Sequence, residues 1–201
     1  MHFSTSLPEA DPAREHALTD DGWILLKEPA GAGGTLLSSV PFMILAAGIT
    51  LLIAAIFVPV SPGYFGLYGE TFSLSIGLPA VLAIAGILVF HELIHLSCIP
   101  KIARAGHTYL GITCAGGFVV CEEILEKDRH LLISLGPFLT ISVGGTIVCG
   151  LTGLLSPLVL AAFTLNALGS SVDLLTTANV LRQVPEGARI TASGMHTYWK
   201  A

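Results

Sequence analysis

No Asp, Glu, Lys or Arg occurs between Pro29 and Gly69, and none between His130 and Val172. Each stretch is well over the roughly 20 residues that a membrane-spanning helix needs. A chain that keeps charge out of two such runs cannot give them a water-facing surface. Composition agrees. Charged residues are 11% of the 201 and apolar ones 53%, where soluble domains carry about 25% charge. The net charge of −5 is also wrong for nucleic acid, which demands a basic patch. An ordinary soluble enzyme, a disordered tail and a nucleic-acid binder are excluded. The lipid bilayer is the expected solvent and first partner.

Four spans are expected, at about 36–60, 74–99, 130–155 and 157–181, with Pro59, Pro62, Pro100 and Pro157 as their punctuation. The nine basic residues then sort to one side. Arg14 and Lys27 precede the first span, Lys101, Arg104, Lys127 and Arg129 lie between the second and third, and Arg182, Arg189 and Lys200 follow the fourth. The positive-inside rule makes that side cytoplasmic, with both termini. The acidic, polar N-terminus has no basic region ahead of an apolar one, so it does not read as a secretory signal. Residues 1–28 and 185–201 read as cytoplasmic tails around a membrane domain at 29–184. Cys98, Cys114, Cys121 and Cys149 form no CxxC pair, and no disulfide framework is expected.

Ionisable groups inside spans are costly and therefore point to function. Two acidic residues, Glu92 and Asp173, lie well inside these spans. Glu92 belongs to His91-Glu92-Leu93-Ile94-His95, an HExxH motif. Spacing of four residues puts both imidazoles on one helix face, where two neutral rings can bind one Zn²⁺. Glu92 then reaches water at the metal as general base. A catalytic zinc takes three protein ligands. His91 lies nine residues before Pro100, and Asp173 nine before Arg182. Both therefore sit about 13 Å from the cytoplasmic helix ends, which makes Asp173 the expected third ligand. Cys98 is the competing one, at three residues beyond His95 on the same face. Asn166, Ser170, Asp173 and Thr177 share a helical stripe. Asn166 serves there either as a donor to a substrate carbonyl or oxyanion, or as interhelical glue. Gly136, Thr140 and Gly144 read as a close-packing face. His107 and His130, outside the spans or at their edge, read as solvated or interfacial.

Between the second and third spans, Thr108–Cys114 and Phe118–Cys121 read as strands around an Ala115-Gly116-Gly117 turn, with a helix starting at about Glu122. The fold class expected is thus an all-α integral membrane protein. It has four transmembrane helices and one short cytoplasmic-side β-hairpin. The hairpin is either a plain surface feature or an open edge to which an extended peptide adds as a strand.

HELIH in a span, then Ser134-Leu135-Gly136-Pro137-Phe138, then Asn166 and Asp173, resembles the site-2 protease group of intramembrane zinc metalloproteases. The closer resemblance is to a related family of small multi-pass membrane proteins, the zincin peptidases. Asn166–Leu175 and Pro185–Ala188 look like that family's late segment. The resemblance implies zinc held by His91, His95 and Asp173, Glu92 as catalytic acid/base, and Asn166 on the substrate side. Where the site-2 pattern has prolines after the Asn and an Asp-Gly pair, this chain has Ala167–Val172 and Leu174. The expected function is hydrolysis of peptide bonds in membrane-embedded or membrane-proximal proteins, at the cell membrane, with one zinc per chain. The alternative is a non-enzymatic metal-binding or transport protein using the same ligands. The sequence carries no signal of oligomeric state.

Overall fold

The computed structural model describes residues 2–4, 6, 8–65, 77–100, 108–113 and 116–201. In chain order these form β1 (His2–Ser4), α1 (Pro12–Asp20), β2 (Ile24–Leu25), α2 (Gly31–Ala54), a 3₁₀ turn at Pro62–Phe65 and α3 (Leu78–Cys98). Then come β3 (Thr108–Thr113), β4 (Gly116–Cys121), β5 (Leu125–Glu126) and α4 (Lys127–Pro137). Helix α4 runs on through a π-helical stretch, Phe138–Gly145, into α5 (Thr146–Leu151). The chain ends with α6 (Pro157–Gly169), α7 (Ser171–Gln183), β6 (Arg189–Ser193) and β7 (His196–Lys200).

Among the described residues, three helical segments are long and apolar enough to cross a membrane: Gly31–Ala54, Leu78–Cys98 and Lys127–Leu151. Their outward faces carry Leu37, Ile44 and Leu52 on α2, and Leu78, Val89 and Leu93 on α3, all exposed. Apolar faces of that extent, left uncovered by protein, match a lipid environment. Pro100 helps to end α3, because a proline biases the residue before it away from helix; Ile99 is extended (φ −75°, ψ 122°). Pro157 opens α6 behind the Ser156 cap, whose Oγ accepts from the Val159 N–H.

The expected fourth span, at about 157–181, is corrected. It is two helices, α6 and α7, bent by 41°. The break falls at Ser170, whose Oγ bonds back to the Asn166 carbonyl at 2.9 Å. Hydroxyl back-bonding of this kind bends helices, and Gly169 beside it has no side chain to resist. The other spans keep their places with shifted ends. The expected start of the second, at 74, lies outside the described residues.

The all-α expectation is also corrected, because the described residues include two sheets. One is three-stranded, in the order β1-β3-β4, with β1 parallel to β3 and β3 antiparallel to β4. The expected hairpin is its antiparallel part, pairing Thr108 with Cys121; Cys114 and Ala115 of its turn lie outside the described residues. The other sheet is four-stranded and antiparallel, in the order β2-β7-β6-β5. Its strands come mostly from the chain ends read as tails. Ile190 and Tyr198 are buried on opposite faces, and Ile190 joins a buried cluster with Leu26, Val180, Val184 and Ala188. The helix expected at Glu122 starts instead at Lys127, after β5.

These ends are tied down by specific bonds. Arg14 on α1 donates to the carbonyls of Ala192 and Glu122 and to the Thr191 hydroxyl. Lys27 and Gln183 exchange two hydrogen bonds of 2.9 Å, joining the approach to α2 to the end of α7. On the helical side, the small residues Ala46 and Ala167 are fully buried with Phe138 where α2, α6 and the π-helical stretch meet. Of the expected small-residue face, Gly136 packs as expected. A Cβ there would come within 3.1 Å of Ile94 and 3.6 Å of the Cys98 sulfur, so glycine lets α4 approach α3. Thr140 is exposed, and Gly145 rather than Gly144 lies against Phe163. The π-helical stretch changes the residue spacing after Pro137, which moves the packing face on.

Candidate metal centre

Helix α3 presents His91 and His95 from successive turns, both buried. Helix α7 presents Asp173 from its first turn, where the helix dipole favours a carboxylate. Asn166 on α6 and Asp173 on α7 both meet His91 of α3. The two Nε2 atoms are 3.1 Å apart. Asp173 Oδ2 lies 3.5 Å from Nε2 of His91 and 3.7 Å from Nε2 of His95.

The hydrogen bonds behind the rings set their protonation. His95 Nδ1 is 2.8 Å from the Ile133 carbonyl. A carbonyl only accepts, so Nδ1 carries the proton and Nε2 keeps its lone pair. His91 Nδ1 is 2.9 Å from Asn166 Oδ1. The Asn166 amide nitrogen faces the Pro137 carbonyl at 3.3 Å and the Ser142 hydroxyl at 2.9 Å, and Ser142 in turn donates to the Phe163 carbonyl. Two fixed acceptors, Pro137 O and Phe163 O, thus orient the whole chain of bonds. The Asn166 NH₂ must face Pro137 and Ser142, its oxygen must face His91, and His91 must be protonated on Nδ1.

Two imidazole lone pairs and a carboxylate oxygen therefore converge with no donor between them. Such acceptors repel unless a cation holds them. The set fits zinc in kind, with two neutral imidazoles and a carboxylate, each ring backed by a second partner. It fits in size too. Ligand atoms at tetrahedral angles, about 2.0–2.1 Å from a zinc ion, lie about 3.3–3.4 Å apart, against 3.1, 3.5 and 3.7 Å here. Among the described residues, His91, His95 and Asp173 form the group that could hold a metal. Cys98 is not part of it; its sulfur lies by Gly136.

Glu92 lies beside this group under strand β4. A Cβ on Gly117 would fall 2.6 Å from Glu92 Oε1, so the strand passes directly over the carboxylate because it has no side chain there. Glu92 Oε2 is buried and has no hydrogen-bond partner among the described residues. The metal group and Glu92 open into a cleft of about 430 Å³. Strand β4 forms one wall from Gly117 to Cys121, and α4 lines another with His130, Ile133 and Ser134. Met195 and Thr197 of the β6–β7 hairpin, with Glu28, also border the cleft.

A family model described as "putative zincin peptidase" matches residues 84–189. The chain belongs to that family. Zincin peptidases are by that description metallopeptidases, and zinc is the metal the family implies. The matched region includes His91, Glu92, His95, Asn166 and Asp173. No curated protein and no solved structure matches the chain.

Of the residues expected at the site, the structure brings His91, His95 and Asp173 together, with Glu92 beside them at the cleft. For Asn166 the structure shows bonds to His91, Pro137 and Ser142, which take up both amide hydrogens. Sequence reasoning missed Ser142, Gly117 and the Ile133 carbonyl. His130, read as solvated or interfacial, is one of the residues lining the cleft, and its Nε2 is buried.

Proposed function

We propose that this metallopeptidase is an intramembrane zinc protease, related to the site-2 protease group, acting on membrane-embedded or membrane-proximal peptide segments. One observation carries the reading. Three acceptor atoms converge at zinc-ligand spacing beside an unpartnered buried carboxylate, on a helix whose outer face is apolar. His91, His95 and Asp173 would hold the metal. When bound, zinc supplies Lewis acidity, lowering the pKa of water and polarising a carbonyl. Asn166 and the Ile133 carbonyl keep both rings in the tautomer that leaves Nε2 free.

Glu92 accepts the proton of the attacking water and passes it to the leaving amine. Water adds oxygen to the scissile carbon, the C–N bond breaks, and the products are a carboxylic acid and an amine. The desolvated Glu92 carboxylate, with one oxygen unpartnered, is suited to that cycle and has no role in plain metal binding, which favours a peptidase over a transporter. The substrate would enter extended, adding to the free side of edge strand β4 over Glu92. A transmembrane helix would first have to unwind. The one-sided distribution of the basic residues supports a cleft and termini on the cytoplasmic side of the cell membrane.

The test is cleavage of a labelled unfolded protein by purified protein in detergent, with zinc measured alongside. Glu92→Gln is expected to abolish cleavage while zinc stays at one per chain. Zinc-dependent cleavage that survives Glu92→Gln would overturn the assignment.

A further inference from the structure

Three carboxylates line the cleft, Glu28, Glu92 and Asp173, and no Lys or Arg among the described residues lines it. Asp173 belongs to the metal group, and Glu92 has a role in the proposed reaction. Glu28 has none so far. It is partly exposed. Its Oε2 accepts from the Thr197 N–H at 3.4 Å and its Oε1 from the Thr197 hydroxyl at 3.3 Å. A carboxylate has about four lone-pair sites, so both oxygens keep capacity for a further donor. Glu28 forms no ion pair among the described residues. His196, whose charge would favour the Glu28 carboxylate, is bonded to Glu15 instead, at 2.6 Å. A carboxylate partly withdrawn from water without a cation costs stability, and folds tolerate such a cost mostly at functional sites.

Two walls of the cleft measure how far Glu28 stands from the reacting centre. Strand β4 passes over Glu92 at Gly117 and lines the cleft as far as Cys121. Four strand residues cover about 13 Å. The next residue, Glu122, is bonded to the β6–β7 hairpin. Its carbonyl accepts from the Thr191 hydroxyl at 2.9 Å, and its Oε1 from the Gly194 N–H at 2.8 Å. Thr197 of that same hairpin holds Glu28. On α7, Gln183 lies ten residues beyond Asp173 and exchanges two hydrogen bonds with Lys27, the neighbour of Glu28. Ten helical residues rise about 15 Å. A peptide laid along β4 therefore meets Glu92 at one end and Glu28 toward the other, about four extended residues away.

We infer that Glu28 is a specificity-determining residue: its carboxylate binds a Lys or Arg side chain of the substrate, about four residues along the peptide from the scissile bond. A substrate class follows. Membrane segments carry Lys and Arg at their cytoplasmic boundary, and Glu28 stands at such a boundary, three residues before α2 begins. Beside the metal group the cleft is lined by Leu88, Leu165 and Val172. A segment whose apolar part reaches the metal and whose basic flank reaches Glu28 fits both ends. The inference rests on the peptidase reading.

The test uses full-length protein in detergent and an uncharged, Gln-flanked peptide that wild type cleaves at one bond, mapped by mass spectrometry. A single Lys then replaces Gln at successive positions on either side of that bond. The ratio of kcat/KM for each Lys peptide to that for the parent is measured in wild type, Glu28→Gln and Glu28→Asp, with zinc content and melting temperature alongside. Wild type is expected to prefer Lys about tenfold, the effect of one charge-assisted hydrogen bond. The preference should fall on one side of the bond only, about four residues from it. Glu28→Gln should bring the ratio to about one. Glu28→Asp keeps the charge and should retain part of the preference. Zinc should stay at one per chain in all three, because Glu28 is outside the metal group. Cleavage with no position preferring Lys overturns the inference alone, and so does a preference that survives Glu28→Gln. If Glu28→Gln does not fold or loses zinc, Glu28 is structural and the inference fails. A zinc-loaded wild type that cleaves no peptide overturns the peptidase reading, and this inference with it.

Discussion

Gly117→Ala should damage catalysis while leaving the protein folded and zinc-loaded. The added Cβ would stand 2.6 Å from Glu92 Oε1, 2.7 Å from Cγ and 2.8 Å from Cδ. Non-bonded heavy atoms settle at about 3.5 Å or more, so Glu92 or the strand must give by roughly 0.7–0.9 Å. The cheaper movement is that of the carboxylate, the free end of a flexible side chain, so the fold should lose at most about 1–2 kcal/mol. The carboxylate is also the group whose position matters. A displacement of about 1 Å in an active site can cost about 100-fold in rate. The assay is kcat/KM on labelled casein, with melting temperature and zinc content in parallel. Gly86→Ala is the matched control on α3. A Cβ there meets nothing within 4 Å, and alanine favours a helix interior by about 0.5–1 kcal/mol. The expected result is a 10- to 100-fold loss for Gly117→Ala, with zinc and fold retained, and no loss for Gly86→Ala. Wild-type activity in Gly117→Ala would refute the placement of β4 over a working Glu92.

Two further perturbations follow from the same geometry. Asn166→Ala removes the partner of His91 Nδ1 and leaves the Pro137 carbonyl without its donor. Zinc affinity should fall about 10- to 100-fold and stability by about 1–3 kcal/mol, read by competition with a chelator and by thermal melting. Glu28 borders the cleft, and burial raises its carboxyl above the ordinary 4.5 despite hydrogen bonds from the Thr197 N–H and hydroxyl. An acid raised in the folded state contributes stability below pH 4.5 that is lost as pH rises through the folded value. Glu28→Gln should therefore melt higher than wild type at neutral pH, with the difference vanishing below pH 4.5. A difference that does not depend on pH would contradict the burial of Glu28.

Much of the centre was legible because charge is scarce. In an apolar run, an HExxH motif and a lone Asp173 stand out, and helix periodicity places the two imidazoles together. Their meeting with Asp173 followed from basic residues outside the spans. What escaped the sequence depends on backbone detail. The bend at Ser170 is a local hydrogen bond inside an apolar run, with no proline to announce it. The π-helical stretch after Pro137 brings Ser142 to Asn166, and a constant helical spacing would not. The role of Asn166 depends on which carbonyls it meets. The β6–β7 hairpin had a signal, a Ser193-Gly194 turn before alternating Thr197-Tyr198-Trp199, but its burial against Leu26 and Val180 is tertiary. His130 lies at the edge of a span, where histidine is unremarkable, and its place in the cleft wall is tertiary.

The central claim is that His91, His95 and Asp173 hold one zinc ion. X-ray absorption at the zinc edge of the purified protein, with metal content by mass spectrometry, tests it most directly. The account predicts one zinc per chain, bound by two imidazole nitrogens and carboxylate oxygen at about 2.0–2.2 Å, with the signal lost in both His95→Ala and Asp173→Ala. A sulfur neighbour at about 2.3 Å, or full zinc retained in Asp173→Ala, would contradict it.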